Sequence, residues 1–204
     1  MRIITGKAKG LVLKTPKGLS TRPTSDRIKE SLFSILNGMI DFEGKIILDL
    51  FAGTGALGLE AMSRGGAQAT FVDFETVDII RDNVARAHFN DESEIIRSDV
   101  FKAIKKFAND QRQFDLIFCD PPYNKGLWQR ALIDIDNLNL LTVEGLLIIE
   151  HGIDESLKSN TNINISKKTN LSVTTLNLEV IRQINYGHTT AIEIFKRKSN
   201  NDSF

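Results

Sequence analysis

The stretch Lys45-Ile46-Ile47-Leu48-Asp49-Leu50-Phe51-Ala52-Gly53-Thr54-Gly55-Ala56-Leu57-Gly58 decides the fold. Residues 45–51 are an apolar run of strand length. Gly53, Gly55 and Gly58 match the G-x-G-x-x-G spacing, and a helical stretch follows as far as Gly65-Gly66. A strand, a glycine loop and a helix in that order open a doubly wound α/β fold, in which a ligand lies against the loop.

The same alternation continues downstream. Residues 69–73, 94–99, 114–120 and 145–150 read as further strands, and 75–89, 100–108 and 126–138 as helices between them. Near-continuous apolar strands alternating with helices predict a parallel sheet covered on both faces. Residues 154–170 are polar and read as a connection. Glu179–Tyr186 and Thr189–Lys196 then alternate around Gly187-His188, which predicts an antiparallel hairpin. Residues 199–204 read as a disordered tail.

Upstream, Pro23 and a cap at Thr24 or Ser25 predict a helix. Its buried face is formed by Ile28, Leu32, Ile35, Leu36 and Met39. Residues 1–23 alternate basic with apolar side chains among glycines and prolines, as a hairpin or extended arm would.

Composition narrows the function classes. The chain has 204 residues, 41% apolar and 25% charged, which fits one folded domain and excludes a disordered chain. No apolar run approaches the roughly 20 residues of a membrane span, and the N-terminus lacks a signal peptide's apolar block. A cytoplasmic monomer is expected. Cys119, the single cysteine, excludes an intrachain disulfide, and His88, His151 and His188 have no ligand spacing, so no metal is expected. The formal net charge is zero, yet residues 1–40 hold eight basic residues against two acids. A basic arm on an acidic body points to a polyanion, with a solvated surface as the plainer reading.

The loop suits a nucleoside cofactor. Asp73, ending the second strand, can accept from both ribose hydroxyls, and Asp99, ending the third, can accept from an adenine amine or cap the next helix. An NAD(P) pyrophosphate calls for a loop without negative charge. Asp49 lies just before the glycines, where it would repel a phosphate and attract the ammonium of S-adenosylmethionine. S-adenosylmethionine is therefore the expected cofactor.

Asp120-Pro121-Pro122-Tyr123 supplies the second motif. Two prolines cannot continue a central strand, and they fix a stiff turn that leaves the Pro121 carbonyl as an acceptor. With the Asp120 carboxylate and the Tyr123 ring, this forms a clamp for an aromatic exocyclic amine on adenine, cytosine or guanine. Cys119 adjoins it, but an apolar strand position with no histidine nearby in sequence favours packing over nucleophilic chemistry. Trp128 could wall a base pocket or simply pack its helix.

Together with these two motifs, Thr21-Arg22-Pro23-Thr24-Ser25-Asp26-Arg27 and Tyr186-Gly187-x-Thr189 resemble the bacterial 16S ribosomal RNA guanine-N2 methyltransferases of the RsmD family, over nearly the whole chain. The resemblance implies a class I S-adenosylmethionine-dependent methyltransferase, Rossmann-like, with a seven-stranded sheet ending in the reversed hairpin. The domain would span 24–198, behind the small basic hairpin of 1–23. The implied reaction is methylation of the N2 amine of one guanine of 16S rRNA in 30S subunits or late assembly particles. Asp120, Pro121 and Tyr123 would hold the guanine. Asp49, Phe51, Ala52, Gly53, Thr54, Gly55, Asp73 and Asp99 would line the cofactor, with Asp120 beside it. Arg22 and Arg27, with Lys7, Lys9 and Lys14, would face RNA. Family members often place a basic residue directly after the acid of the second strand. Here Phe74-Glu75 follow, so Glu75 competes as a ribose ligand.

The rivals are a DNA adenine-N6 or cytosine-N4 methyltransferase using the same clamp, a non-catalytic rRNA-binding assembly factor, and a nicotinamide oxidoreductase.

Overall fold

The computed structural model describes residues 1–16, 23–123, 125–155 and 177–198. Arg22, most of the polar 154–170 connection and the 199–204 tail lie outside them. The chain forms two compact units, Met1–Ala103 and Ile104–Phe204.

In the first unit, helix α1 (Pro23–Leu36) precedes β1 (Ile46–Leu50), α2 (Ala56–Ser63), β2 (Gln68–Asp73), α3 (Val77–Arg86), β3 (Ser93–Arg97) and the start of α4 (Val100–Asn109). The strands are parallel in the order β3-β2-β1, with Leu48 opposite Thr70 and Phe71 opposite Ile95. Ile47, Leu48, Leu50, Phe71 and Val72 are fully buried, as strands covered on both faces require. β3 departs from the expectation. Glu94 and Arg97 are exposed and Ile95 and Ile96 half-buried, because β3 is the outermost strand.

The basic arm is a small hairpin, with Arg2 bridging antiparallel to Val12. The Ile3 N–H donates to the Leu11 carbonyl and the Gly10 N–H to the Ile3 carbonyl. Ile3 and Leu13 turn inward, and Lys7, Lys9 and Lys14 turn out. The hairpin is fastened to α2. Gly6 has φ +87°, and a Cβ there would lie 1.7 Å from the Ser63 carbonyl oxygen, so only glycine fits.

The main fastening is Glu60, fully buried on α2. Its carboxylate accepts the Ile4 and Thr5 N–H groups at 2.7 and 3.1 Å and the Lys29 ammonium at 2.8 Å. It also accepts the Arg64 guanidinium. Lys29 is itself 3% exposed and donates to the Arg2 carbonyl at 2.6 Å. Burial lowers the Lys29 pKa while Glu60 works to raise it. A buried charge is tolerated when it is paired and hydrogen-bonded, and Lys29 has both the Glu60 carboxylate and the Arg2 carbonyl.

The second unit holds the rest of α4, then β4 (Phe114–Cys119), α5 (Leu127–Asn137), β5 (Leu141–Gly152), β6 (Leu178–Tyr186) and β7 (Thr190–Arg197). Its strand order is β4-β5-β7-β6, with β4–β5 parallel and both β7 pairings antiparallel. The reversed hairpin is therefore present. β5 begins earlier than its apolar run, because Leu141 pairs with Phe114 ahead of a register shift. Among the described residues, no helix is long and apolar enough to cross a membrane and no acid, histidine and cysteine cluster could hold a metal.

Candidate active site

The two motifs stand one in each unit. In the first, the end of β1 turns sharply at Phe51, whose φ of 56° is unusual for a bulky residue. The turn lets the Ala52 N–H reach the Val72 carbonyl at 3.1 Å. The Phe51 ring meets Phe101 edge-on, with centroids 6.3 Å apart. Gly53 and Gly55 follow with φ of 56° and 75°. Gly58 has another task, since a Cβ there would lie 2.5 Å from the Phe71 ring and 3.1 Å from Asp49 Oδ2. The third glycine thus lets α2 pack closely on β2.

Two carboxylates occupy backbone donors of this loop. Asp73 Oδ2 accepts the Gly53 N–H at 2.9 Å, and its Oδ1 accepts the N–H groups of Glu75 and Thr76 at 2.8 and 2.9 Å. Burial works to raise the Asp73 pKa, but these N–H groups outweigh it and hold the carboxyl below its usual range. Asp49, 2% exposed, accepts the Gly58 N–H at 2.9 Å. Burial pushes its carboxyl up to about 7, only partly offset by that bond and reinforced by the Asp73 charge.

A pyrophosphate needs these N–H groups as donors and no anion beside them. Here the Gly53 and Gly58 N–H groups are taken by carboxylates, and the Gly55 N–H by the Ala52 carbonyl, so the loop carries anions where a phosphate would sit. The residues fit the ammonium and ribose hydroxyls of S-adenosylmethionine and do not fit a dinucleotide's phosphates. Each carboxylate keeps lone pairs for such donors.

Thr54 is half-buried, and its carbonyl accepts from Asn83. Asp99 is exposed and caps α4, accepting the Lys102 N–H at 3.0 Å, so its capping role is present. Glu75 and Phe74 are exposed beside Asp73. On the arm side, Lys7, Lys9 and Arg27 are exposed, whereas the exposed Lys14 pairs with Asp82 at 2.6 Å.

In the second unit, Asp120 follows the carboxyl end of β4 and is exposed, and Pro121 is buried. Tyr123 is half-buried. Its hydroxyl donates to Glu150 Oε1 at 2.6 Å and lies 3.2 Å from Thr190 Oγ1. Burial, then the Glu150 carboxylate, push the phenol pKa up, so the hydroxyl stays protonated as a donor. Both ends of the ring are therefore fixed, one by the Pro-Pro turn and one by β5 and β7. Sequence reasoning misses Glu150 and Thr190. The only hint is a carboxylate closing the apolar run of β5. Trp128 is buried and stacks on His151, with centroids 4.5 Å apart, so it packs its helix. Cys119 is buried too.

Residues 1–192 match the family model described as "Conserved hypothetical protein 95". The chain belongs to this family. Its RsmD-type members include "Ribosomal RNA small subunit methyltransferase D" of Escherichia coli K12, 32% identical over 161 residues, which are 77% of each chain. "Putative rRNA methyltransferase YlbH" of Bacillus subtilis is 34% identical over 200 residues, covering 97% of this chain and 100% of the relative. Among solved structures, "Putative methyltransferase yhhF from Escherichia coli" is 26% identical with a TM-score of 0.76, covering 97% of this chain and 98% of that one. The family fold is thus the methyltransferase fold that the glycine loop and C-terminal hairpin predict.

Proposed function

We propose that this protein transfers a methyl group from S-adenosylmethionine to the exocyclic N2 amine of a guanine in small-subunit rRNA. The particle acted on is the 30S subunit or a late assembly intermediate, in the cytoplasm where ribosomes are built. S-adenosylmethionine is the cofactor of this methyltransferase family, and rRNA is the substrate class that the relatives' names carry. The observation that carries the base-clamp reading is the anchored Tyr123 ring directly after the Asp120-Pro121-Pro122 turn.

When bound, the cofactor supplies a methyl group on a sulfonium, open to in-line attack. Asp49 would meet its ammonium, Asp73 its ribose hydroxyls and Asp99 its adenine amine. Taking a guanine out of its stack costs a few kcal/mol, and Tyr123 offsets part of that by stacking. The N2 lone pair is delocalised into the ring. Asp120 and the Pro121 carbonyl would each accept one N–H and so orient the nitrogen, and this positioning supplies much of the rate. Formation of the N–C bond breaks the C–S bond and releases S-adenosylhomocysteine, and the surplus amine proton passes to water beside the exposed Asp120. Lys7, Lys9, Arg22 and Arg27 attract the phosphates around the target.

The test is methyl transfer from labelled S-adenosylmethionine to three substrates side by side: 30S subunits lacking the modification, deproteinised 16S rRNA and duplex DNA. Label entering the 30S sample supports the reading. Label entering DNA alone transfers the clamp to another substrate. No transfer to any of them favours an assembly factor.

A further inference from the structure

Asn83, on α3, is fully buried and belongs to neither motif. Its Oδ1 accepts the Lys14 N–H at 2.7 Å. Its Nδ2 donates to the Lys14 carbonyl at 3.0 Å and to the Thr54 carbonyl at 2.9 Å. The side-chain amide therefore pairs with Lys14 as a second peptide group would, and its remaining hydrogen holds the glycine loop. The opposite amide orientation would set an oxygen against two carbonyls, so the network fixes the assignment. Thr54 lies between Gly53 and Gly55, which without a Cβ restrict the backbone little, so the loop's shape depends on outside partners. The Lys14 ammonium also meets Asp82, next to Asn83, but that pair is half-exposed and screened by water. The buried amide is thus the stronger tie between the arm and the loop.

We propose that Asn83 is a positioning residue that couples the seating of the arm on RNA to the shape of the cofactor loop. The proposal rests on the function above, with the arm toward RNA and the loop around S-adenosylmethionine. With the arm held, Lys14 stays paired and Asn83 keeps the Thr54 carbonyl in place. Filling the loop fixes the same amide from the other side, because coupling between two sites is reciprocal.

Amide hydrogen exchange of the wild-type chain, with and without S-adenosylhomocysteine, reads this directly. Exchange should slow fivefold or more at Lys14 as well as at Gly53 and Gly55. A second measurement uses Asn83→Asp, which keeps the acceptor for the Lys14 N–H but sets a carboxylate against both carbonyls. Wild-type protein should bind S-adenosylhomocysteine several-fold more tightly with 30S subunits present than without. The variant, checked for native circular dichroism, should lose that ratio. Protection confined to Gly53 and Gly55, or an undiminished ratio in the variant, would overturn the coupling alone. No protection at the glycines would remove the cofactor reading, and the coupling with it.

Discussion

The Tyr123 hydroxyl donates a 2.6 Å hydrogen bond to Oε1 of Glu150, joining the turn after β4 to the end of β5. The bond orients the ring proposed to stack on the base. Burial raises the Glu150 pKa, with Tyr123 and His151 opposing, so this carboxyl depends on its donor. Tyr123→Phe keeps the ring and removes the bond. Turnover should fall about ten- to hundredfold, the worth of one hydrogen bond to a charged group, with S-adenosylhomocysteine affinity unchanged. Equal kcat in the variant would show that the anchor does not matter to the reaction.

Asp49 gives a pH signature. Its carboxyl titrates at about 7 in the fold against 3.8 unperturbed. A raised pKa favours the folded state while the group is protonated. That contribution is complete below about 4 and is lost as pH rises through about 7. Asp49→Asn should therefore melt several degrees above the wild type at pH 8, with the gap closing toward pH 4. The variant should also bind S-adenosylhomocysteine more weakly at pH 8, having lost the charge proposed to meet the ammonium. In the wild type, that affinity should decline below pH 7, by at most about tenfold per pH unit. A melting gap that stays constant with pH would rule out titration of Asp49.

Much of this is legible in the sequence. The glycine loop with its flanking strand and helix locates the cofactor side, because local spacing alone specifies that motif. The Pro-Pro turn is equally plain. Hidden from the sequence are side chains whose partners lie far away along the chain. Glu60 and Lys29 read as ordinary helix charges, yet they meet each other and the arm in the core. Asn83 belongs to no motif in the sequence, yet it binds Lys14 and Thr54. Asp73 reads as a ribose ligand, and nothing in the sequence announces its bonds to Gly53, Glu75 and Thr76, since backbone N–H groups carry no sequence signal.

Removing Glu60 should be costly. Glu60→Ala leaves the Lys29 ammonium buried without its counter-charge and frees two arm N–H groups. Breaking one side of a buried pair typically costs about 3–5 kcal/mol, readable from urea midpoints. Adding Lys29→Met should return a good part of the loss. If the double variant is no more stable than Glu60→Ala, the charge cluster is not what holds the arm.

Lys7 and Lys9 are exposed on the arm, whereas Lys14 is paired with Asp82. Reversing both, as Lys7→Glu with Lys9→Glu, should weaken binding to 16S rRNA. The salt dependence should flatten too, by roughly one log unit of slope for each phosphate that is no longer neutralised. An unaltered slope would place the RNA-binding surface elsewhere.

The central claim is the identity of the methylated atom. The direct measurement is mass analysis of nucleosides digested from unmodified 30S subunits after reaction with wild-type protein and with Asp120→Ala. The wild type should yield N2-methylguanosine, and the variant should lose a hundredfold or more of that yield with S-adenosylhomocysteine binding retained. Methyladenosine or methylcytidine as the product, or an undiminished yield from Asp120→Ala, would contradict it.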